Sequence, residues 1–305
     1  MDVEKKHKGK SKKLINNNMQ KFFKKIIYFL LISFHFLKMD QVESLVPYYY
    51  LPTIKNIQKE SLSISKYASQ LLYFGQYKES LNLAKLAAKI NKKDEKILMI
   101  LAETQVANKL YKEALNSLNK AQKLNSNISE IYFAKSNIYF NISQLKNAKT
   151  ALEAGLRIEP NNHRAIFQLG NILLIEKKYS EAIEVFDQSV EIKPNFWQAI
   201  NNQGLAYFEQ NNINLSTELF EKAISIEDNA EPLLGLASCL RVKDIELAVQ
   251  LAKKALIKDP RYVNYNYREK QLWGKKLQLS TEILLKNDQL QTDVTLAKSK
   301  INSSS

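Results

Sequence analysis

The segment 175–195, IEKKYSEAIEVFDQSVEIKPN, sets Ala182, Ile183, Phe186, Ser189 and Val190 three and four residues apart, with acids and amides between them. That spacing predicts an amphipathic helix, and Pro194 stops it. A helix of about a dozen residues is marginal in water by itself. Its apolar face mixes small and large residues, which calls for a second helix packed closely against it. The pattern returns every 34 residues: blocks beginning at Ser61, Glu95, Ser129, His163 and Trp197 align without an insertion. The eighth position is small in each (Ala68, Ala102, Ser136, Gly170, Gly204), as are the twentieth (Ser80, Ala114, Ala148, Ala182, Ser216) and the twenty-seventh (Ala87, Ala121, Gly155, Ser189, Ala223).

Such columns predict two short antiparallel helices per block, neither able to bury its apolar stripe alone. Gly inside a helix costs about 1 kcal/mol against Ala, so Gly170 and Gly204 are expected where the two helix backbones come close. Phe186 and Phe220 are expected to bridge to the following block, each stabilising by roughly 1.5–3 kcal/mol through burial. Pro160, Pro194 and Pro260 end second helices. A sixth block, 231–262, aligns through Ala248, Ala255 and Pro260 when its interhelix loop is two residues shorter. Beyond it, NYREKQLWGKKLQLSTEILLKN reads as a helix capping the last block, with Leu272 and Trp273 on its buried side, and QTDVTLAKSKINSSS as a frayed tail.

The small–small–small columns, the YSEA opening with Tyr179 and Ala182, Phe186 and the closing Pro194 resemble the tetratricopeptide repeat, over about 61–262 and most strongly over 163–230. Lys92, Ser126 and Asp228 stand in the proline column, and no Trp fills the family's early aromatic position. The resemblance implies an all-α fold: a right-handed α-superhelix of tandem helix hairpins with a C-terminal capping helix. Its concave groove would hold a partner protein. The expected divisions are a basic tail with signal or anchor over 1–44, a linker over 45–60, six repeats (61–94, 95–128, 129–162, 163–196, 197–230 and 231–262), a capping helix over 263–290 and a disordered tail over 291–305. A narrower resemblance rests on LVPYYYLP, EPLLGLA, DPRY and LWGKKL following an export-type segment. Together these are similar to exported cyanobacterial tetratricopeptide proteins and to factors that assemble photosystem I, which implies a role in building a membrane complex.

That export-type segment begins at Met19. Lys21, Lys24 and Lys25 form a basic start, Ile26 to Leu37 an apolar run broken by Ser33 and His35, and Val42 and Ser44 precede a possible cut before Leu45. As a helix the run covers about 18 Å, short of the ~30 Å hydrocarbon core; it spans only if Phe22 and Phe23 join it. A cleaved signal or an uncleaved anchor both place the repeats on the non-cytoplasmic side, in a periplasm or thylakoid lumen. Either Met1 or Met19 could be the start.

The net charge of +14 is unevenly spread. Residues 1–25 hold nine lysines against two acids, residues 241–305 are net +6, and 61–240 is near neutral. A phosphate-binding face wants arginines and aromatics clustered together, whereas this excess is lysine at two ends. A cytoplasmic basic adaptor for nucleic acid or ribonucleoprotein is therefore the alternative reading. Enzyme chemistry finds no support. His7, His35 and His163 have no partners at metal-ligand spacing, no triad or phosphate loop can be assembled, and the single Cys239 forms neither a disulfide nor a cysteine metal site. No catalytic residue, metal or cofactor is expected. Candidate contacts instead lie on the inner faces of the first helices in blocks three to five: Phe133, Asn137, Phe140 and Asn141; Arg164, Phe167 and Asn171; Gln198, Asn201, Asn202 and Phe208. Amides there would pair with the backbone of an extended peptide while rings hold its apolar side chains. The lysine-and-asparagine clamp that some members of the family use for a terminal carboxylate is absent, with Ser65 and Ser69 at its place.

Overall fold

The computed structural model describes residues 53–303. The export-type segment, both candidate start positions and most of the expected linker lie outside the described residues. Twelve helices form six consecutive antiparallel pairs: α1 Ile54–Tyr73 with α2 Tyr77–Ile90, α3 Glu95–Ala107 with α4 Tyr111–Leu124, and α5 Ser129–Asn141 with α6 Leu145–Ile158. Then follow α7 His163–Ile175 with α8 Tyr179–Ile192, α9 Trp197–Glu209 with α10 Ile213–Ile226, and α11 Ala230–Leu240 with α12 Ile245–Lys258. Each second helix packs on the first helix of the next pair, and the stack winds as a right-handed superhelix of helix pairs. No strand occurs among the described residues.

The small columns are the contact surfaces. All fifteen residues at the eighth, twentieth and twenty-seventh positions are buried. Where serine fills the twentieth position its hydroxyl reaches the eighth-position carbonyl across the pair: Ser80 Oγ donates to Ala68 O at 2.7 Å, and Ser216 Oγ to Gly204 O at 2.8 Å. The inner glycines work differently from the expected backbone approach. A Cβ on Gly170 would stand 2.4 Å from Phe186 Cε1, and one on Gly204 would stand 2.9 Å from Phe220 Cε1. These glycines make room for a ring rather than for a backbone. Phe220 also presses on Gly235 of the next pair, where a Cβ would lie 2.7 Å away, and Phe186 joins a cluster with Ala199 and Ala206. Both phenylalanines therefore bridge neighbouring pairs.

The turns inside the first five pairs share one device. Gly75, Lys109, Ser143, Lys177 and Asn211 occupy the fifteenth position of their blocks and all have φ between 59° and 74°. Left-handed backbone there lets the next N–H close on the preceding helix, as when Lys178 N donates to Leu173 O at 2.9 Å.

Both ends depart from expectation. Helix α1 starts at Ile54, inside the expected 45–60 linker, because the Thr53 side chain caps it through Asn56 N. The region 263–290 is not one capping helix. A 3₁₀ turn at Pro260–Val263 leads to the short α13 Tyr265–Lys270, then to α14 Lys275–Leu285. Leu272, at φ 68°, reverses the chain between them. Nor is 291 onward frayed throughout: α15 Gln291–Asn302 buries Val294 and Ala297 and packs on the Pro260–Val263 turn and α12.

Candidate functional site

Successive first helices line the inner face, and two adjoining cavities open between them. The first, of about 560 Å³, lies between α5, α7 and the turn into α9. Phe167 sits at its floor, edge-on to Phe196 at 5.0 Å and tilted against Phe186 at 5.7 Å, and His163 meets Phe196 edge-on at 5.1 Å. The second cavity, of about 490 Å³, shares Phe140, Phe167, Asn171 and Gln198 with the first, so the two form one cleft.

The opposite wall of the second cavity is the chain's own C-terminal arm. Asp259, Arg261, Tyr262, Tyr267, Lys270, Gln271 and Leu272 line it, facing Trp197, Asn202, Asn229 and Glu231. The arm is held by buried polar contacts. Arg268, fully buried, donates to Gln278 Oε1 at 2.8 Å, to Tyr262 O at 2.6 Å and to the Glu282 carboxylate. Helix α14 rests on α9 and α11, and the Glu209 carboxylate accepts from the N–H groups of Lys276 and Leu277 at its N-terminus. That end of the helix favours an anion. The inner wall is thus covered over pairs five and six and open over pairs three and four.

Six of the candidate residues come together in the first cavity: Asn137, Phe140, Arg164, Phe167, Asn171 and Gln198. Asn202 lines the second. Four others stand elsewhere. Phe133 turns into its own pair, its ring against Gly155, where a Cβ would meet it at 2.4 Å. Phe208 is buried in the C-terminal core with Leu205 and Phe220. Asn141 is exposed and bonds back to Asn137 O at 2.8 Å. Asn201 is fully buried and joins the Glu231 cluster described below. Spacing alone missed Gln168, Lys193 and Phe196 on the first cavity, and the whole C-terminal wall, which only the fold brings across.

The amides form rungs between neighbouring first helices. Gln168 Nε2 donates to Asn137 Oδ1, and Asn202 Nδ2 to Asn171 Oδ1, both at 2.8 Å. Each rung uses one oxygen and leaves the Nδ2 of Asn137 and of Asn171 without a hydrogen-bond acceptor among the described residues. Both can donate to a carbonyl laid in the cleft.

Two ionisable clusters flank it. Burial pushes the Glu231 carboxyl up to about 7, against opposing hydrogen bonds from Trp273, Asn201 and Tyr262; Trp273 Nε1 donates to Glu231 Oε1 at 3.0 Å. Burial, then the nearby Lys193 and Arg164 charges, hold the His163 imidazole below its ordinary range. Among the described residues no three His, Cys, Asp or Glu side chains converge on a metal-sized site. The buried Cys239 thiol is pushed up to about 11 by burial, which leaves little thiolate at neutral pH.

A tetratricopeptide-repeat family model matches residues 129–162, 163–196 and 198–229. No curated protein matches the chain in sequence. Solved structures that resemble it include PilF of Pseudomonas aeruginosa, at 17% identity and a TM-score of 0.60 over 70% of this chain and 98% of that one. MamA of Desulfovibrio magneticus RS-1 follows at 23% identity and 0.51, over 57% and 96%. YrrB, described as a tetratricopeptide protein with an unusual peptide-binding site, stands at 20% and 0.49, over 63% and 97%. At these identities the likeness to PilF and MamA bears on the fold alone.

Proposed function

We propose that this chain, whose residues 129–229 match the tetratricopeptide-repeat model, is a non-catalytic scaffold holding an extended segment of a partner protein in the inner cleft. The observation that carries this reading is the pairing of an aromatic floor with free amide donors along one continuous cleft. Rings take apolar side chains and Asn137 and Asn171 take backbone carbonyls, which together suit an unfolded segment better than a small polar metabolite. The test is positional. A photo-crosslinking residue placed at Gln198 in the cleft is expected to trap the client, and the same residue at Glu184, exposed on α8, is not. Trapping of the same protein equally from both positions would overturn the proposal.

The finer part of the proposal is that the client belongs to a membrane complex and that the repeats act on the non-cytoplasmic side. Support for it comes from the sequence: the basic start and apolar run from Met19, and the likeness of LVPYYYLP, EPLLGLA, DPRY and LWGKKL to exported assembly factors. Among the described residues no helix is long and apolar enough to cross a membrane. Protease protection in intact cells, with the N-terminal residue of the mature chain, tests it. A full-length chain digested only after the cytoplasm is opened would contradict it.

A further inference from the structure

The ionisable groups lining the first cavity are Arg164 and Lys193, and no carboxylate lines it. Neither cation has an ion pair among the described residues. Lys193 Nζ stands 5.4 Å from the centre of the Phe196 ring, and both charges are near enough to His163 to disfavour its protonation. The adjoining cavity differs, because carboxyl groups line it: the Arg261 guanidinium grips Asp259 with contacts of 2.7, 2.9 and 3.2 Å, and Lys270 shares the wall with Glu231. Two cations without ion-pair partners on one aromatic-lined cavity attract an anion, and a guanidinium matches a carboxylate bidentately.

Resting on the scaffold reading, we propose that the Arg164–Lys193 cavity receives an acidic side chain, Asp or Glu, within the extended client segment, with an apolar neighbour on the Phe140–Phe167 floor. An internal residue fits better than a terminal carboxylate, because the cavity opens into the second one and the client chain can run on. The chain's own N-terminal tail is a poor occupant, since residues 1–25 carry net charge +7. Single-stranded nucleic acid is disfavoured because its backbone wants a continuous basic groove, and the first cavity offers two cations.

The experiment pans a displayed random dodecapeptide library on the full chain. The strongest binder is then made N-acetylated and C-amidated, so that no terminal charge contributes. Asp and Glu next to Leu, Phe or Ile are expected to be enriched. Replacing the acids of the chosen peptide by Asn or Gln is expected to weaken binding at least tenfold by fluorescence polarisation. Arg164 and Lys193 are exposed, so R164Q/K193Q keeps the fold; it is expected to erase the difference between the peptide and its neutral twin while retaining residual binding. Selected peptides without acid enrichment, equal binding of the neutral twin, an undiminished preference in R164Q/K193Q, or displacement of the peptide by oligo(dT) would each overturn the inference while peptide capture itself stands. A library that yields no binder would overturn both this inference and the scaffold reading.

Discussion

Phe133 and Phe140 lie seven residues apart on α5, almost two full turns, so periodicity puts them on one stripe. The structure separates them. Phe133 fills the space left by Gly155 in its own pair, while Phe140 is 39% exposed at the cleft. Phe133→Ala is expected to cost about 3 kcal/mol of stability in urea unfolding. Phe140→Ala is expected to cost under ~0.5 kcal/mol and to weaken peptide capture instead; equal losses of stability would contradict this division. The legible signal was Gly155 itself, since a glycine in a buried helical column leaves a ring-sized hole for its neighbour. Glu231 gives a second residue-scale prediction. Its carboxyl titrates near 7 in the folded chain against 4.5 when solvated, so the folded state keeps a proton that the unfolded state releases. Stability from this group is complete below pH 4.5 and declines, by up to ~3 kcal/mol, as pH rises through 7. Unfolding measured from pH 4 to 8 is expected to show that decline, and E231Q, which stays neutral, to flatten it. An unchanged slope in E231Q would refute the assignment.

Among the elements, the helix pairs were readable because their contacts are made by side-chain size at fixed intervals. A small residue at one column must face a small or aromatic residue at another, and the burial of all fifteen column positions follows from that rule. The turns were not readable. Their left-handed position is filled by Lys109, Ser143, Lys177 and Asn211, with glycine only at Gly75. The neighbouring helices impose the conformation there, and a bulky residue bears its cost. Lys177→Gly is therefore expected to raise stability by several tenths to about 1 kcal/mol, net of the entropy glycine adds to the unfolded chain, as a higher urea midpoint with unchanged slope. A lower midpoint would show that the turn is not strained. The C-terminal arm was also hidden, for a different reason. The left-handed position is held by Leu272 rather than by Gly274 two residues on, and the anchors Glu209 and Glu231 lie some 40 to 70 residues upstream of the groups they bind. No local pattern encodes such pairings.

At the scale of the molecule, the superhelix gives an inner wall, and the chain covers two of its six pairs with its own arm. The arm covers pairs five and six and leaves pairs three and four open, with the first cavity's uncompensated charge at the open end. The groove as a class of surface was legible from the repeat, and six of eleven candidate residues do line one cavity. Which part stays free was set by contacts far apart in sequence. The most direct measurement is hydrogen–deuterium exchange of the full chain with and without its selected peptide. Added protection is expected on α5, α7 and the start of α9, with α6, α8 and α10 unchanged. Protection confined to those outer helices, or none at saturating peptide, would contradict the inner cleft as the place where this protein holds its partner.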